Sequence, residues 1–234
     1  MLEVCVDTLR AARIAIDSGA QRIELSENLT VGGLTPSSDL IKALRLECSE
    51  ALIVLIRCRA GDFQYRSDEL ELMLDQAASA IRLGADGVAL GACTSDHSLD
   101  WDFFAQAYCV VKQASEAACL VVHRVFDQVP DPIGSIERLI ELGYDRILTS
   151  GGADHAIDSL GALRDWQQAA GDRLEILPAG GIHAGNAQRI LESTGCHQLH
   201  GSFTKTSSGE SGPLPNHREI ARVREILDGF SKDR

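Results

Sequence analysis

The chain has 234 residues, 44% of them hydrophobic, and a formal net charge of -12 at pH 7. A chain of this length can bury a full hydrophobic core, and no break in composition divides it, so we predict one domain over residues 1–234. The acidic balance argues against a nucleic-acid partner, because surfaces that bind phosphate backbones need an excess of positive charge.

The amino terminus and the cysteines indicate a reducing compartment. Glu3 and Asp7 lie where a secretion signal would carry basic residues, and no apolar run is long enough to span a membrane. The seven cysteines form an odd set without C-x-x-C spacing, so the pattern indicates neither a disulfide framework nor a zinc ribbon. We therefore expect a cytoplasmic protein with reduced thiols and no membrane partner.

Eight short apolar runs have the length of buried parallel strands. In chain order, the predicted strands are Leu2–Val6, Arg22–Leu25, Leu52–Ile56, Gly87–Leu90, Leu120–His123, Arg146–Thr149, Leu174–Leu177 and Gln198–His200. A helical pattern follows every run. The first helix is predicted from Thr8 to Asp17, with Asp7 as its N-cap. The fifth is predicted to begin at Asp131 and Pro132, because an aspartate cap followed by proline is a typical helix start.

A similar phrase beginning with glycine introduces four of the predicted strands. The four glycines are Gly19, Gly84, Gly143 and Gly195, and each fits the end of a helix just before a strand. Their spacing of roughly 50 to 65 residues corresponds to two strand–helix units per phrase. Eight units predict an α/β protein with a (β/α)₈ TIM-barrel fold. An open doubly wound sheet is the alternative, but it usually has a glycine-rich nucleotide turn after its first strand, which this chain lacks.

Charged residues lie inside several of these runs, where burial is costly unless the charge is paired, hydrated or used. Side chains alternate across a strand, so Glu3, Cys5 and Asp7 share one face, which we predict to point into the barrel. By the same count, Arg22 and Glu24 share a face of the second strand. Arg22 is therefore a candidate for binding an anion inside the barrel.

Arg57 and Arg59 follow the third run, and two aromatic residues, one of them Phe63, come soon after. The planar guanidinium suits carboxylate or phosphate, and aromatic side chains can close over a ligand. Two roles stay open for Arg57, which either binds an anionic ligand or pairs with Glu3 or Glu24 in the barrel floor. For Arg59 the pattern favours a ligand.

The fifth run ends with His123, Arg124 and, three residues later, Asp127. Imidazole acts as an acid or a base near neutral pH, or ligates a metal. We therefore consider His123, Asp127 and the interior Glu24 as candidate catalytic residues, and Arg124 as a further anion-binding residue. The alternative is that Asp127 caps a loop and His123 is an interior residue whose hydrogen bonds are satisfied.

Small residues follow the last two strands. Gly180 and Gly181 come after the seventh run and Ser202 after the eighth, where barrels often bind phosphate through backbone N–H groups. Tight strand-to-helix turns also need glycine, but the joint placement favours an anion site. The following segment, Thr204–Asn216, is rich in serine, glycine and proline, and is predicted to be either a mobile lid or a slack connection.

Three residues with soft or borderline donor atoms lie at inward or rim positions. They are Cys5, His123 and His200. Copper(I) favours thiolate and imidazole ligands, so these residues are the candidate metal ligands, although their spacing alone does not enforce a site.

Taken together, the motifs resemble the CutC family over nearly the whole chain. The matching segments include Leu2–Asp7, Arg22–Leu25, Gly32–Ser37, Gly61–Phe63, His123–Arg124, Leu148–Gly151, Gly180–Gly181 and His200–Ser202. The resemblance implies a TIM barrel of the cytoplasm associated with copper homeostasis, with a copper ion as its ligand.

Two functions are open at this point. One is a copper-binding protein that uses Cys5 with imidazole partners. The other is a barrel enzyme that acts on a small anionic substrate, bearing phosphate or carboxylate, at the carboxyl-terminal mouth. No lysine inside a strand run suggests a Schiff base, and many chemistries occur in this fold, so the reaction stays open. A homodimer is expected only because closed dimers are the usual form of self-association.

Overall fold

The computed structural model describes residues 1–204 and 214–232, and these residues contain eight parallel strands, each followed by an α-helix. The strands are β1 (Leu2–Val6), β2 (Arg22–Leu25), β3 (Ala51–Leu55), β4 (Gly87–Leu90), β5 (Cys119–Val122), β6 (Arg146–Thr149), β7 (Glu175–Pro178) and β8 (Leu199–Gly201). Every predicted strand is confirmed, and each lies within one residue of its predicted bounds.

The helices pack around the outside of the strands. They are α1 (Leu9–Asp17), α2 (Ser38–Glu47), α3 (Ser67–Arg82), α4 (Trp101–Ala114), α5 (Pro132–Leu142), α6 (Leu160–Ala170), α7 (Ala187–Thr194) and α8 (His217–Lys232). Short 3₁₀ turns at Leu29–Val31, Arg124–Gln128 and Ala156–Ser159 lie in the loops that follow β2, β5 and β6.

The start of α5 agrees with the prediction and the start of α1 does not. Asp131 accepts a hydrogen bond from the Gly134 N–H at 3.1 Å, and proline occupies the first turn of α5. In α1 the N-cap is Thr8, whose hydroxyl accepts from the Ala11 N–H at 3.1 Å. The predicted cap, Asp7, lies one residue earlier, and its carboxylate accepts instead from the Leu29 N–H at 3.4 Å.

Neighbouring strands pair in parallel in the order β7-β6-β5-β4-β3-β2-β1-β8. Strands β7 and β8 lie beside each other without a hydrogen-bonded ladder between their described residues, so the barrel is nearly closed. The predicted TIM-barrel fold is therefore confirmed. The four predicted helix-terminating glycines all have positive φ, as a left-handed helix end requires.

The interior of the barrel is divided by chemistry. Strands β3 to β7 contribute an apolar cluster, made of Ile53, Leu55, Ala89, Val121, Leu148, Leu177 and Ala179. Strands β1, β2 and β8 contribute buried charged or titratable side chains, namely Glu3, Arg22, Glu24 and His200. A larger apolar core fills the space between the strands and the surrounding helices. The chemically active side chains are thus concentrated on three adjacent strands.

Two further predictions concern the membrane and the segment Thr204–Asn216. Among the described residues, no helix is both long enough and apolar enough to cross a membrane. Residues 205–213 lie outside the described residues, so the choice between a lid and a slack connection stays a prediction.

Candidate functional site

A cavity of about 350 Å³ lies at the mouth of the barrel, where the strands end. Cys5, Glu24 and His200 line it, and each contributes one donor atom to a group whose atoms all lie within 4.8 Å of one another. Each of the three side chains is buried. We refer to these three residues as the donor cluster.

The strand register brings the donor cluster together across three neighbouring strands. Cys5 of β1 pairs with Glu24 of β2, and Glu3 of β1 pairs with His200 of β8. Because side chains two residues apart share a face, Cys5 and Glu3 both point inward, between the side chains of the two flanking strands. The inward direction predicted for β1 and β2 accounts for the convergence of Cys5 and Glu24.

A buried chain of hydrogen bonds holds the imidazole of His200. Its Nδ1 lies 2.7 Å from Oε1 of Glu3, and the other oxygen of Glu3 accepts from Nε of Arg22. A second nitrogen of Arg22 donates to Oε1 of Gln198 at 2.7 Å. The carboxylate of Glu3 therefore keeps the hydrogen on Nδ1, and Nε2 of His200 is left facing Glu24, with 3.8 Å to its Oε2.

The same contacts set the protonation states. Burial raises the pKa of Glu3, but the charge of Arg22 and the hydrogen bond with His200 outweigh burial and hold that pKa well below its usual value. Burial lowers the pKa of His200, but Cys5, Glu24 and Glu3 outweigh it and raise that pKa well above its usual value. Burial is the largest cause that raises the pKa of Glu24, to about 7. Near neutral pH, Glu3 is thus ionised, His200 is cationic and Glu24 is partly protonated.

A thiol, an imidazole nitrogen and a carboxylate oxygen at this spacing can hold one metal ion. Thiolate and imidazole suit copper(I), and the carboxylate adds an oxygen donor. The structure brings together Cys5 and His200 from the predicted ligands and adds Glu24, whereas His123 is not in the donor cluster. Glu24 was predicted only as a catalytic residue, although its place opposite Cys5 on the inward face of β2 was the signal that could have found it as a ligand.

Arg22 does not line the mouth cavity, contrary to the anion-binding role predicted for it. It is the first residue of β2, at the amino end of the barrel, where it pairs with Glu3. Its contact with Glu3 holds that carboxylate in place, and Glu3 in turn holds the imidazole of His200. Side-chain alternation predicted the inward face of Arg22 but not its distance from the mouth.

Arg57 and Arg59 have different surroundings. Arg57 is buried and lines the mouth cavity, but its nitrogens donate to backbone carbonyls and not to Glu3 or Glu24, so the predicted floor pairing is not observed. Arg59 instead pairs with Glu69 at 2.8 Å and is not among the residues that line the mouth cavity. Of these two arginines, Arg57 is the one placed to meet a ligand in the cavity.

His123 also lines the mouth cavity and is buried. Its Nδ1 accepts a hydrogen bond from the Val125 N–H at 3.1 Å. Burial, followed by the charge of Arg57, lowers the pKa of His123 to about 3. The ring is therefore neutral near pH 7, which makes it a poor general acid.

Asp127 stabilises the loop after β6. Its carboxylate accepts from the N–H groups of Ser150 at 2.9 Å and Gly152 at 3.2 Å, and from the hydroxyl of Thr149. Nε of Arg124 donates to it at 2.7 Å. These contacts match the alternative in which Asp127 caps a loop, and they occupy one side of Arg124, which nevertheless lines the mouth cavity.

The glycines after β7 line a second cavity, of about 510 Å³, beside the first. Gly180, Gly181 and Ser202, which follow β7 and β8, all border it, and their binding of an anion stays a prediction. The carboxylate of Glu219 borders it too and accepts from the Ala184 N–H at 2.6 Å. A negative charge at this wall makes the second cavity less favourable for an anion than its glycines alone would suggest.

Comparisons with known proteins agree with the predicted resemblance. The sequence model described as the CutC family matches residues 1–205. The family protein CutC of Pasteurella multocida (strain Pm70) is 38% identical over 199 residues, covering 85% of this chain and 80% of that protein. The Homo sapiens relative, named copper homeostasis protein cutC homolog, is 36% identical over 206 residues, covering 88% of this chain and 74% of that protein.

A solved structure is similar over the same region. It is that of the putative copper homeostasis protein CutC from Streptococcus agalactiae, with a TM-score of 0.78 and 33% sequence identity. The similarity covers 86% of this chain and 98% of the other. Fold and sequence therefore point to the same relatives.

Proposed function

Because the chain belongs to the CutC family, we propose that it serves copper homeostasis by binding copper(I) at Cys5, Glu24 and His200. The observation that carries this proposal is the convergence of the three donor atoms within 4.8 Å on one wall of the mouth cavity. The names of the human and mouse relatives refer to copper homeostasis, and the donor cluster supplies a chemical basis for it.

The donor set fits copper(I) better than a hard cation. The thiolate of Cys5 and the imidazole of His200 are ligands that copper accepts readily, whereas magnesium and calcium prefer sites made entirely of oxygen. Glu3 hydrogen bonds to Nδ1 of His200, an arrangement that orients metal-binding imidazoles in many proteins. In this proposal copper(I) is the cargo of the protein and not a catalytic cofactor.

The alternative of a barrel enzyme with an anionic substrate has less support. His123 stays neutral near pH 7, and the carboxylate of Asp127 accepts hydrogen bonds from the loop after β6. Arg59, which was expected to meet a ligand, pairs with Glu69. The family relationship favours the copper interpretation.

The test is an anaerobic copper(I) competition against a chelator of moderate affinity. We expect one copper(I) ion per wild-type chain. Cys5→Ser and His200→Gln should each weaken binding by at least about tenfold, because each removes one donor atom. Cys109→Ser is the matched control, because Cys109 is an exposed thiol on α4. Equal copper uptake by the wild type and Cys5→Ser would contradict the proposal.

A cytoplasmic location and a homodimer stay predictions. Light scattering coupled to size-exclusion chromatography would measure the mass of the particle in solution and decide between a monomer and a dimer.

A further inference from the structure

Two buried side chains of the mouth cavity keep an N–H group without a hydrogen-bond partner in the described part of the chain. They are Arg57, through Nε, and His123, through Nε2. Arg57 is 7% exposed and His123 is 4% exposed, and both line the cavity. Buried polar groups in folded proteins are nearly always hydrogen-bonded, so two such donors in one cavity point to a ligand that accepts hydrogen bonds.

His123 presents a fixed donor. Its Nδ1 accepts from the Val125 N–H, so the neutral ring carries its hydrogen on Nε2. The ring packs closely against the backbone at Gly91, where an added Cβ would lie 2.8 Å from Cε1 of His123. This close approach limits the movement of the imidazole and therefore fixes the direction of its free N–H.

Arg57 presents a positive charge without an anion. Nη1 donates to the carbonyls of Val31 at 2.9 Å and Gly33 at 3.1 Å, and Nη2 donates to the carbonyl of Gly61 at 2.7 Å. These bonds hold the guanidinium in place, and the Tyr65 hydroxyl lies beside it, but Nε–H has no partner in hydrogen-bond geometry. No carboxylate of the described residues lies within 4.0 Å of its nitrogens.

The other three arginines that the sequence singled out differ from Arg57 on this point. Arg22 pairs with Glu3, Arg59 pairs with Glu69 and Arg124 pairs with Asp127. Neutral carbonyls solvate the charge of Arg57 but do not compensate it. A negatively charged ligand in the cavity would do so.

Both donors lie beside the ring of Phe63. Cζ of Arg57 is 5.2 Å from the ring centroid of Phe63, and the centroid of the His123 ring is 4.8 Å from it. The surrounding protein covers both N–H groups, and Phe63 is a half-buried wall of the same cavity. A ligand would therefore reach the two donors only after a movement of the side chains around them.

We propose that the mouth cavity binds a small organic carboxylate, with one oxygen accepting from Nε–H of Arg57 and the other from Nε2–H of His123. Two N–H donors and one positive charge match a carboxylate, whereas a phosphate dianion would need more donors and more charge. Leu29, Leu55 and Leu148 line the cavity and provide an apolar surface for the body of the ligand. The site does not depend on the proposed copper function, since it shares no donor atom with the donor cluster.

The first experiment is calorimetry on the full chain without added metal. The probes are propionate, isovalerate and benzoate, with benzamide as the neutral counterpart of benzoate and inorganic phosphate as the competing anion. At least one carboxylate should bind to the protein. Benzamide and phosphate should bind to the protein at least about tenfold more weakly than that carboxylate. Absence of binding by all three carboxylates, or tighter binding of phosphate, would overturn the proposal.

The variants test the two donors separately. In His123→Asn the new side-chain oxygen can still accept from the Val125 N–H, but the Nε2–H donor is gone. Arg57→Lys keeps the positive charge and removes Nε–H. Each should weaken carboxylate binding by at least about tenfold, whereas Arg59→Lys, which changes an arginine outside the cavity, should leave it unchanged.

Melting temperatures show whether each variant is folded, and either folded donor variant is sufficient for the comparison. Wild-type affinity in a folded His123→Asn or Arg57→Lys would overturn the proposal, and so would an equal loss in Arg59→Lys. Repeating the titration on Cys5→Ser separates the two proposals, because carboxylate binding should persist in that variant whether or not the protein takes up copper.

Discussion

The two sectors of the barrel interior are held together by different forces. On β3 to β7, buried apolar side chains such as Leu55 and Leu177 pack together, and their removal from water contributes about 25 cal/mol per Å². On β1, β2 and β8, the buried Glu3, Arg22 and His200 are held by hydrogen bonds and ion pairs, whose attraction is largely offset by the loss of hydration. The charged sector therefore adds little stability for its volume, and its position under the donor cluster indicates that it supports binding.

The first prediction concerns the charged sector. Arg22→Met should lower the free energy of unfolding by about 3–5 kcal/mol, because it leaves the carboxylate of Glu3 buried without its main partner. Denaturant unfolding measures this loss. Arg59→Met is the control and should cost far less, since Arg59 and its partner Glu69 lie closer to solvent. Equal losses in the two variants would contradict the dependence of the buried Glu3 carboxylate on Arg22.

The second prediction concerns the apolar sector. Leu177→Ala should lower the free energy of unfolding by about 2–5 kcal/mol through the lost transfer energy and the cavity left behind. Copper(I) affinity should not change, because Leu177 does not line the mouth cavity. Unfolding and copper competition on the same preparation test both statements. A loss of copper affinity as large as that of Cys5→Ser would show that the two sectors are not independent.

The alternation of side chains was sufficient to predict the barrel and one face of its site. A period of two placed Glu3, Cys5 and Glu24 inside, and the described structure has them there. It could not predict which arginine pairs with Glu3, because alternation gives the face of a residue and not its height in the barrel. Height depends on the stagger between strands, which places Arg22 directly opposite Glu3.

The remaining differences arise from contacts between segments that are distant in sequence. Arg59 was expected to meet a ligand, but α3 brings Glu69 to it. Asp7 and Thr8 are both good helix caps, and the choice between them depends on Leu29, whose N–H occupies the carboxylate of Asp7. Neither contact can be inferred from the local pattern of the chain.

The last prediction is that copper(I) affinity rises with pH. The pKa of His200 lies well above its usual value because Cys5, Glu24 and Glu3 outweigh burial, so the imidazole carries a proton at pH 7 that copper must displace. Each displaced proton contributes about a tenfold increase in affinity per pH unit, up to the pKa of the group that releases it. Glu24, with its pKa raised to about 7, adds to the increase below that pH.

Competition titrations between pH 6 and 8 measure this slope. His200→Gln removes one of the displaced protons, so its slope should be smaller by about one proton than that of the wild type. Cys109→Ser should keep the wild-type slope, because that thiol is exposed and lies on α4. Equal slopes in the wild type and His200→Gln would show that His200 does not ligate the ion and would restrict the site to Cys5 and Glu24, whereas an affinity that is independent of pH would contradict the whole donor cluster as the site.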